Sequence, residues 1–427
     1  MKKFSRIIIP AMKGNALEFY DFTLYGIFAV SIGKLFFPSE SATISLLASW
    51  GAFAAGFMMR PIGGLFFGYL GDKFGRKYAL SWTILLSGAP TLIIGLLPSY
   101  ETLGIIAPLT LILCRLCQGL CTGGEYNGAA IFALEHIGNV QPGAAGGLIT
   151  SSVVIGALMA TFAGYLVTSF GDEWMWRIPF IAGALISALG FFIRRYMNET
   201  PEFENLQKRP QAKKLTLVEI YQTHGRSSTI AFFLGAFNGS LTYSLLGFLN
   251  MYMSKYLGWD MVLAMQLNLA GLFIFMILSP AAGYLLDVQG HQMGMRILSI
   301  AVFVTIVPVY YLLQSQDIYS IILGQALLGG LAAGIAGSGH IFLQKLFPPE
   351  ARYRGISVNF CLGMAIFGGT TPMILTYLIE SLHLSLYAPA LYPMAVSVIF
   401  FAVYQLLGKK ETHTPETFAY AEQGVSG

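Results

Sequence analysis

The stretch Gly68-Tyr-Leu-Gly-Asp-Lys-Phe-Gly-Arg-Lys77 joins two long apolar runs. Asp72 and the cations Lys73, Arg76 and Lys77 end one run and open the next. Gly75 supplies a turn that tolerates no Cβ clash. Cations clustered beside apolar spans mark the cytoplasmic side of a membrane protein. With this turn fixed inside, the direction of every other span follows.

Composition supports a membrane setting. Of 427 residues, 55% are hydrophobic and 11% charged, against about 25% charged in soluble domains. The 48 glycines suit close helix packing in lipid. The apolar runs are long and continuous, unlike the short alternating segments of barrel strands. Lys2, Lys3 and Arg6 precede an apolar patch that ends in no cleavage site, so no cleaved signal peptide is expected. Cys114, Cys117 and Cys121 fall in one apolar helix and Cys361 in another, where they read as small packing residues. The net charge of +4 belongs to loops and not to a nucleic-acid surface.

A span needs about 20 apolar residues. That rule predicts twelve, over 14–37, 43–70, 78–97, 103–134, 143–169, 175–196, 228–254, 262–286, 294–313, 318–346, 353–380 and 386–407. All but five of the 25 Lys and Arg residues then lie in cytoplasmic segments. The exceptions are Lys34, Arg60, Arg115, Arg177 and Lys255. Both termini are therefore expected inside. The chain divides into a first six-helix bundle (1–197), a cytoplasmic linker (198–226), a second bundle (227–410) and a short tail (411–427) without heptads. Within the linker, Thr200-Pro201-Glu202 reads as a helix start. Gly283-x-Leu285-x-Asp287-x-x-Gly290 repeats the spacing of Gly68, Leu70, Asp72 and Gly75 half a chain later. Two repeated halves around a central site are a recurring transporter plan.

The spacing Gly68-x-Leu70-x-Asp72-x-x-Gly75-Arg76-Lys77 resembles the helix 2–3 loop of the major facilitator superfamily. Gly14–Phe22, Arg60–Gly64, Arg115–Gly119, Gly123–Tyr126, Trp176–Phe180 and Glu199–Phe203 resemble its metabolite–proton symporters. Phe347–Gly355 and Gly368–Pro372 extend the likeness into the second half. That branch carries proline and betaine, citrate, α-ketoglutarate and shikimate. Gly123–Phe132 is most similar to its proline/betaine carriers. The resemblance implies an all-α integral membrane protein, twelve helices in two six-helix bundles, in a bacterial inner membrane. It also implies a monomer that moves a small solute with protons and needs no cofactor.

Ionisable side chains inside a span are costly and are functional candidates. Glu18 and Asp21 lie three residues apart on span 1, on a face with Tyr25. Two carboxylates this close at membrane depth disfavour each other's ionisation, which suits one of them to carry a proton. Glu18 also reads as an anion at the water interface. Arg115 shares a face of span 4 with Gln118, Gly119, Thr122 and Tyr126. It suits either a partner for Asp21 or a clamp for a substrate carboxylate. Glu125 answers Arg115 or a substrate ammonium. Arg60, about 18 Å deeper than Asp72 along span 2, reads as a structural cation. Gly119 and Gly123 read as packing residues. His340 suits either a bonded core position or a proton site. Asn238, Thr242, Tyr243 and Asn359 offer a polar, aromatic counterface for a zwitterion or quaternary ammonium. Asp72, Arg76 and Glu135 are expected to form a cytoplasmic gate, with Asp72 at the N-terminus of helix 11. No metal cluster, nucleophile triad or soluble catalytic domain is legible, so an enzyme is not expected.

Overall fold

The computed structural model describes residues 2–74, 76–137, 141–170, 172, 174–195 and 216–408. Their backbone is helical, with no strand among the described residues. Twelve helical spans follow in order. Span 1 is Lys2–Ile27 continued by Ala29–Phe36, and span 2 is Ala42–Met58 continued by Arg60–Phe74. Spans 3 to 6 are Arg76–Leu96, Ile106–Ile137, Pro142–Ser169 and Arg177–Arg195. Span 7 runs from Leu217–Tyr243 to a π turn at Tyr252–Tyr256. Spans 8 to 10 are Met261–Gln289, His291–Leu313 and Ile318–Leu346. Span 11 is Pro349–Gly363 continued to Thr371–Glu380, and span 12 is Ala388–Leu407.

The packing repeats between halves. Spans 1 and 5, 2 and 4, and 3 and 6 pack in the first bundle; 7 and 11, 8 and 10, and 9 and 12 pack in the second. The bundles meet most extensively along spans 5 and 8. There Ser151 Oγ donates to the Met276 carbonyl at 2.7 Å. In the first bundle, spans 2 and 4 touch backbone to backbone. A Cβ built on Gly119 would lie 1.6 Å from Gly56 O, and one on Gly123 would lie 1.8 Å from Arg60 O. Only glycine permits that approach. Overpacking costs about 1–3 kcal/mol, so Gly119→Val is expected to lower the melting temperature of the detergent-purified protein by several degrees. An unchanged melting temperature would show that the two helices separate freely.

Two boundaries differ from the sequence expectation. Span 1 begins at Lys2 and span 7 at Leu217, each about eleven residues early. Hydropathy marks the lipid slab, but helices continue into water. At span 7 a capping box starts the helix: Thr216 Oγ1 accepts from Glu219 N, and the Glu219 carboxylate accepts from Thr216 N. Three π turns, at Ser244–Phe248, Tyr252–Tyr256 and Met364–Gly368, have no counterpart in the sequence reading. All lie on spans 7 and 11, beside the seam between bundles. The Thr200 helix start and the 411–427 tail lie outside the described residues.

Candidate functional site: buried arginines at the seam

Phe19, Phe22 and Tyr25, each three residues apart, form one buried stripe on span 1. Phe53, Phe57 and Arg60 form the facing stripe on span 2. Arg60 Cζ sits 3.9 Å from the Phe57 ring centre and 4.4 Å from that of Phe22. Arg115 Cζ sits 4.4 Å from Phe22 and 4.5 Å from Tyr25. Both guanidiniums thus share the Phe22 ring. Tyr25 is fixed by its hydroxyl, which donates to Ser49 O at 3.0 Å. Tyr243 of span 7 closes the group edge-on against Phe57, with ring centres 4.6 Å apart.

Both arginines are sealed from solvent, at 1% and 0% exposure. Desolvating a charge costs several kcal/mol. Each ring contact returns up to about 2 kcal/mol. Direct polar contacts are few: Arg115 Nη1 donates to Gln118 Oε1 at 2.9 Å, and Arg60 Nη1 lies 3.5 Å from Met364 Sδ. Nε and Nη2 of both residues have no hydrogen-bond partner. Such a site holds positive charge that rings alone do not neutralise, and it favours an anion.

Asp21 is buried but does not pair directly with Arg115. A chain of side chains connects them. Arg115 donates to Gln118, Gln118 Nε2 donates to Thr91 Oγ1 at 2.8 Å, and Thr91 Oγ1 donates to Asp21 Oδ2 at 2.5 Å. Thr91 Oγ1 also lies 3.0 Å from Ser87 O, a second acceptor for its single proton. Asp21 Oδ1 has no partner and rests beside Gly183 of span 6, where a Cβ would come within 3.0 Å of it. Asp21 therefore turns towards spans 3 and 6, away from the seam. Thr91 is not among the residues expected from the sequence. Its one signal is a hydroxyl following Pro90 inside an apolar helix.

The other expected residues fall in different places. Thr122 Oγ1 donates to Gln118 O on its own helix at 2.8 Å. Tyr126 Oη lies 3.2 Å from His340 Nε2, a contact between spans 4 and 10 and so between bundles. Thr242 Oγ1 donates to Asn238 Oδ1 at 3.1 Å on span 7. Asn359 uses both ends of its amide: it accepts from Tyr221 Oη at 2.8 Å and donates to Gly355 O at 2.8 Å. In this arrangement its amide is occupied by the protein itself. The side chains of Glu18, Asp72, Arg76, Glu125 and Glu135, and all of Gly75, lie outside the described residues.

Contacts close both ends of the seam. At the end of the 2–3 turn, Asp287 accepts from Gly143 N at 3.0 and 2.9 Å and from Ala144 N at 3.2 Å. A carboxylate there meets the positive end of span 5. Asp287 is the repeat counterpart of Asp72. At the other end, half-buried Glu380 of span 11 holds Lys255 Nζ of span 7 at 2.6 Å and accepts from Thr43 Oγ1 of span 2 at 3.1 Å. Losing a cap costs about 1 kcal/mol. Asp287→Ala is thus expected to raise the alkylation rate of an introduced Ser279→Cys severalfold; an unchanged rate would deny Asp287 a closing role.

Paired bundles of six helices, a desolvated charged centre and bridges at both ends describe a membrane carrier. The sequence profile of the Major Facilitator Superfamily matches residues 14–361, and the chain belongs to that superfamily. It is a secondary transporter and not an enzyme. The proline/betaine transporter of Salmonella typhimurium is 33% identical over 414 residues, covering 93% of this chain and 82% of the relative. A putative proline/betaine transporter of Staphylococcus aureus is 33% identical over 417 residues, covering 95% and 88%. In structure, the chain is similar to the xylose transporter of E. coli in a partially occluded inward-open conformation, with a TM-score of 0.72 at 16% identity over 97% and 99% of the chains. That likeness concerns the fold. Among the described residues, nine of the twelve spans satisfy length and hydropathy for crossing a membrane, and shorter apolar helices cover Ser81–Leu96 and Arg177–Phe192.

Proposed function

We propose that this carrier imports a small zwitterion of the proline or betaine type together with protons, by alternating access of its two bundles. The supporting observation is the chain Arg115–Gln118–Thr91–Asp21, which links a cation with bare donors to a buried carboxylate. The named relatives add weight to the zwitterion. Arg115 takes the substrate carboxylate through its fork of N–H groups. The substrate ammonium rests on aromatic faces of the seam such as Tyr243 and Tyr126. Arginine keeps its proton, so Asp21 is the group that gains and loses one. When the substrate engages Arg115, the pull on Gln118 and Thr91 weakens, and Asp21 holds its proton more readily. With the site empty, the chain draws Asp21 back to its charged form. The carrier acts in a bacterial inner membrane, as a monomer, with both termini cytoplasmic and no cofactor.

A second reading, an organic carboxylate such as citrate, α-ketoglutarate or shikimate, is favoured by the presence of two buried arginines. Liposomes bearing purified carrier separate the readings. Labelled proline, betaine and the three acids are offered with and without an inward proton gradient. Gradient-driven uptake of a zwitterion supports the first reading; uptake of an acid alone supports the second; gradient-independent levels for all of them oppose proton coupling.

Thr91→Val tests the chain. Hydrogen bonds to charged groups contribute about 1.5–3 kcal/mol. The variant is expected to lose roughly tenfold or more in gradient-driven initial rate. A wild-type rate would show that the Thr91 hydroxyl plays no part in coupling.

A further inference from the structure

Arg60 has the features of a ligand, although its position in a helix–helix contact first suggests a scaffold. It is 1% exposed, and its Nε and Nη2 have no partner. Among the described residues its one polar contact is the sulfur of Met364 at 3.5 Å, a weak acceptor. A structural arginine buried in a helix pair normally answers a carboxylate or backbone carbonyls. The described residues supply neither to its guanidinium. Arg60 and Arg115 each lie 4.4 Å from the Phe22 ring centre, so their Cζ atoms are separated by at most twice that distance. Arg115 Nη2 also lies 3.6 Å from the point where a Cβ of Gly56 would stand. Gly56 is one helical turn from Arg60 on the same side of span 2. A Cβ there would also stand 2.9 Å from Arg115 O, so glycine at 56 lets span 2 close on the Arg115 backbone beside its guanidinium.

We infer that Arg60 is a second substrate-binding residue, and that one substrate carboxylate is shared between Arg60 and Arg115. This rests on the carboxylate-binding reading above and extends it from one cation to two. In this arrangement the carboxylate accepts from each guanidinium through charge-assisted N–H···O bonds of about 2.7–2.9 Å. Its two oxygens accept from the bare N–H groups, and its charge relieves the repulsion between the cations. The contact with Met364 adds a consequence. Met364 opens the π turn of span 11, in the opposite bundle. Sharing a carboxylate draws the Arg60 guanidinium from that sulfur, so occupancy of the site is felt by span 11.

The test uses the full carrier in liposomes. Counterflow of labelled proline, betaine and α-ketoglutarate first shows which carboxylate the wild type moves. For that solute, Arg60→Gln is expected to raise KM tenfold or more while the maximal rate falls much less. Arg60→Lys, which keeps the charge but loses the planar fork, is expected to recover part of the KM. The amide of the same solute, which lacks the carboxylate, is expected to compete poorly against wild type and almost equally well against wild type and Arg60→Gln. A wild-type KM in Arg60→Gln overturns the inference, as does failure of both variants to insert, which would make Arg60 structural. Transport of α-ketoglutarate alone overturns the zwitterion reading and leaves the Arg60 result to stand by itself. A wild type that moves none of the carboxylates overturns both.

Discussion

Asp21→Asn carrier in liposomes is expected to exchange labelled substrate across the membrane but not to concentrate it. Asparagine keeps the size of aspartate and mimics its protonated form. Thr91 can still donate to the amide oxygen, so the link to Gln118 and Arg115 need not collapse. What disappears is the group that ionises. Asp21 is 3% exposed and touches no cation directly. Its charge in the resting state therefore depends on two intervening side chains. Two gradients separate the outcomes. Counterflow, with unlabelled solute inside and label outside, requires only binding and rocking, and it should persist within severalfold of wild type. Uphill uptake driven by an imposed pH gradient requires the proton to move with the solute, and it should fall to background. A variant that concentrates solute as well as wild type does would remove Asp21 from the coupling step and direct attention to Glu18, Glu125 and His340.

Arg115→Lys is expected to raise KM by about 10–100-fold, equivalent to roughly 1.4–2.8 kcal/mol. The charge is conserved, so simple electrostatics predicts a small effect. Three features of the site argue for a large one. Lysine offers a single ammonium where arginine offers a planar fork, and a carboxylate held in two bonds loses one of them. Arg115 also lies over the rings of Phe22, Tyr25 and Phe53, and a compact, strongly hydrated ammonium fits that stack poorly. Finally, Nη1 is already committed to Gln118 at 2.9 Å. A lysine satisfying Gln118 has less left for substrate, and one turned to substrate breaks the chain towards Asp21. The measurement is initial rate against solute concentration, beside a circular-dichroism check of helicity. Equal KM in the two proteins would reduce Arg115 to a point charge. A raised KM accompanied by lost pH coupling would place it on both paths.

Much of the architecture is written in the chain. Twelve runs of lipid-compatible length, Lys and Arg concentrated in alternate connecting segments, and the spacing of Asp72 repeated at Asp287 depend only on local composition and period. They specify a two-bundle membrane protein before any contact is known. Helix faces were legible too: Arg115 and Gln118, three apart, do meet. What the chain does not contain is which neighbour a face meets. A direct pair with Asp21 was one of the two roles that Arg115 suited. In the folded protein span 3 places Thr91 between Asp21 and Gln118, since the rotation and tilt of packed helices are set by side-chain contacts across the bundle. Residue type offered Asn359 as part of a polar counterface; packing gave its amide to Tyr221 and Gly355. Arg60 read as a scaffold cation because depth alone cannot show whether a buried guanidinium has partners. The sequence by itself determined how many helices there are, how long they run and which residues are costly to bury. The tertiary structure decided which of those costly groups are satisfied, because satisfaction is a property of pairs brought together from distant parts of the chain.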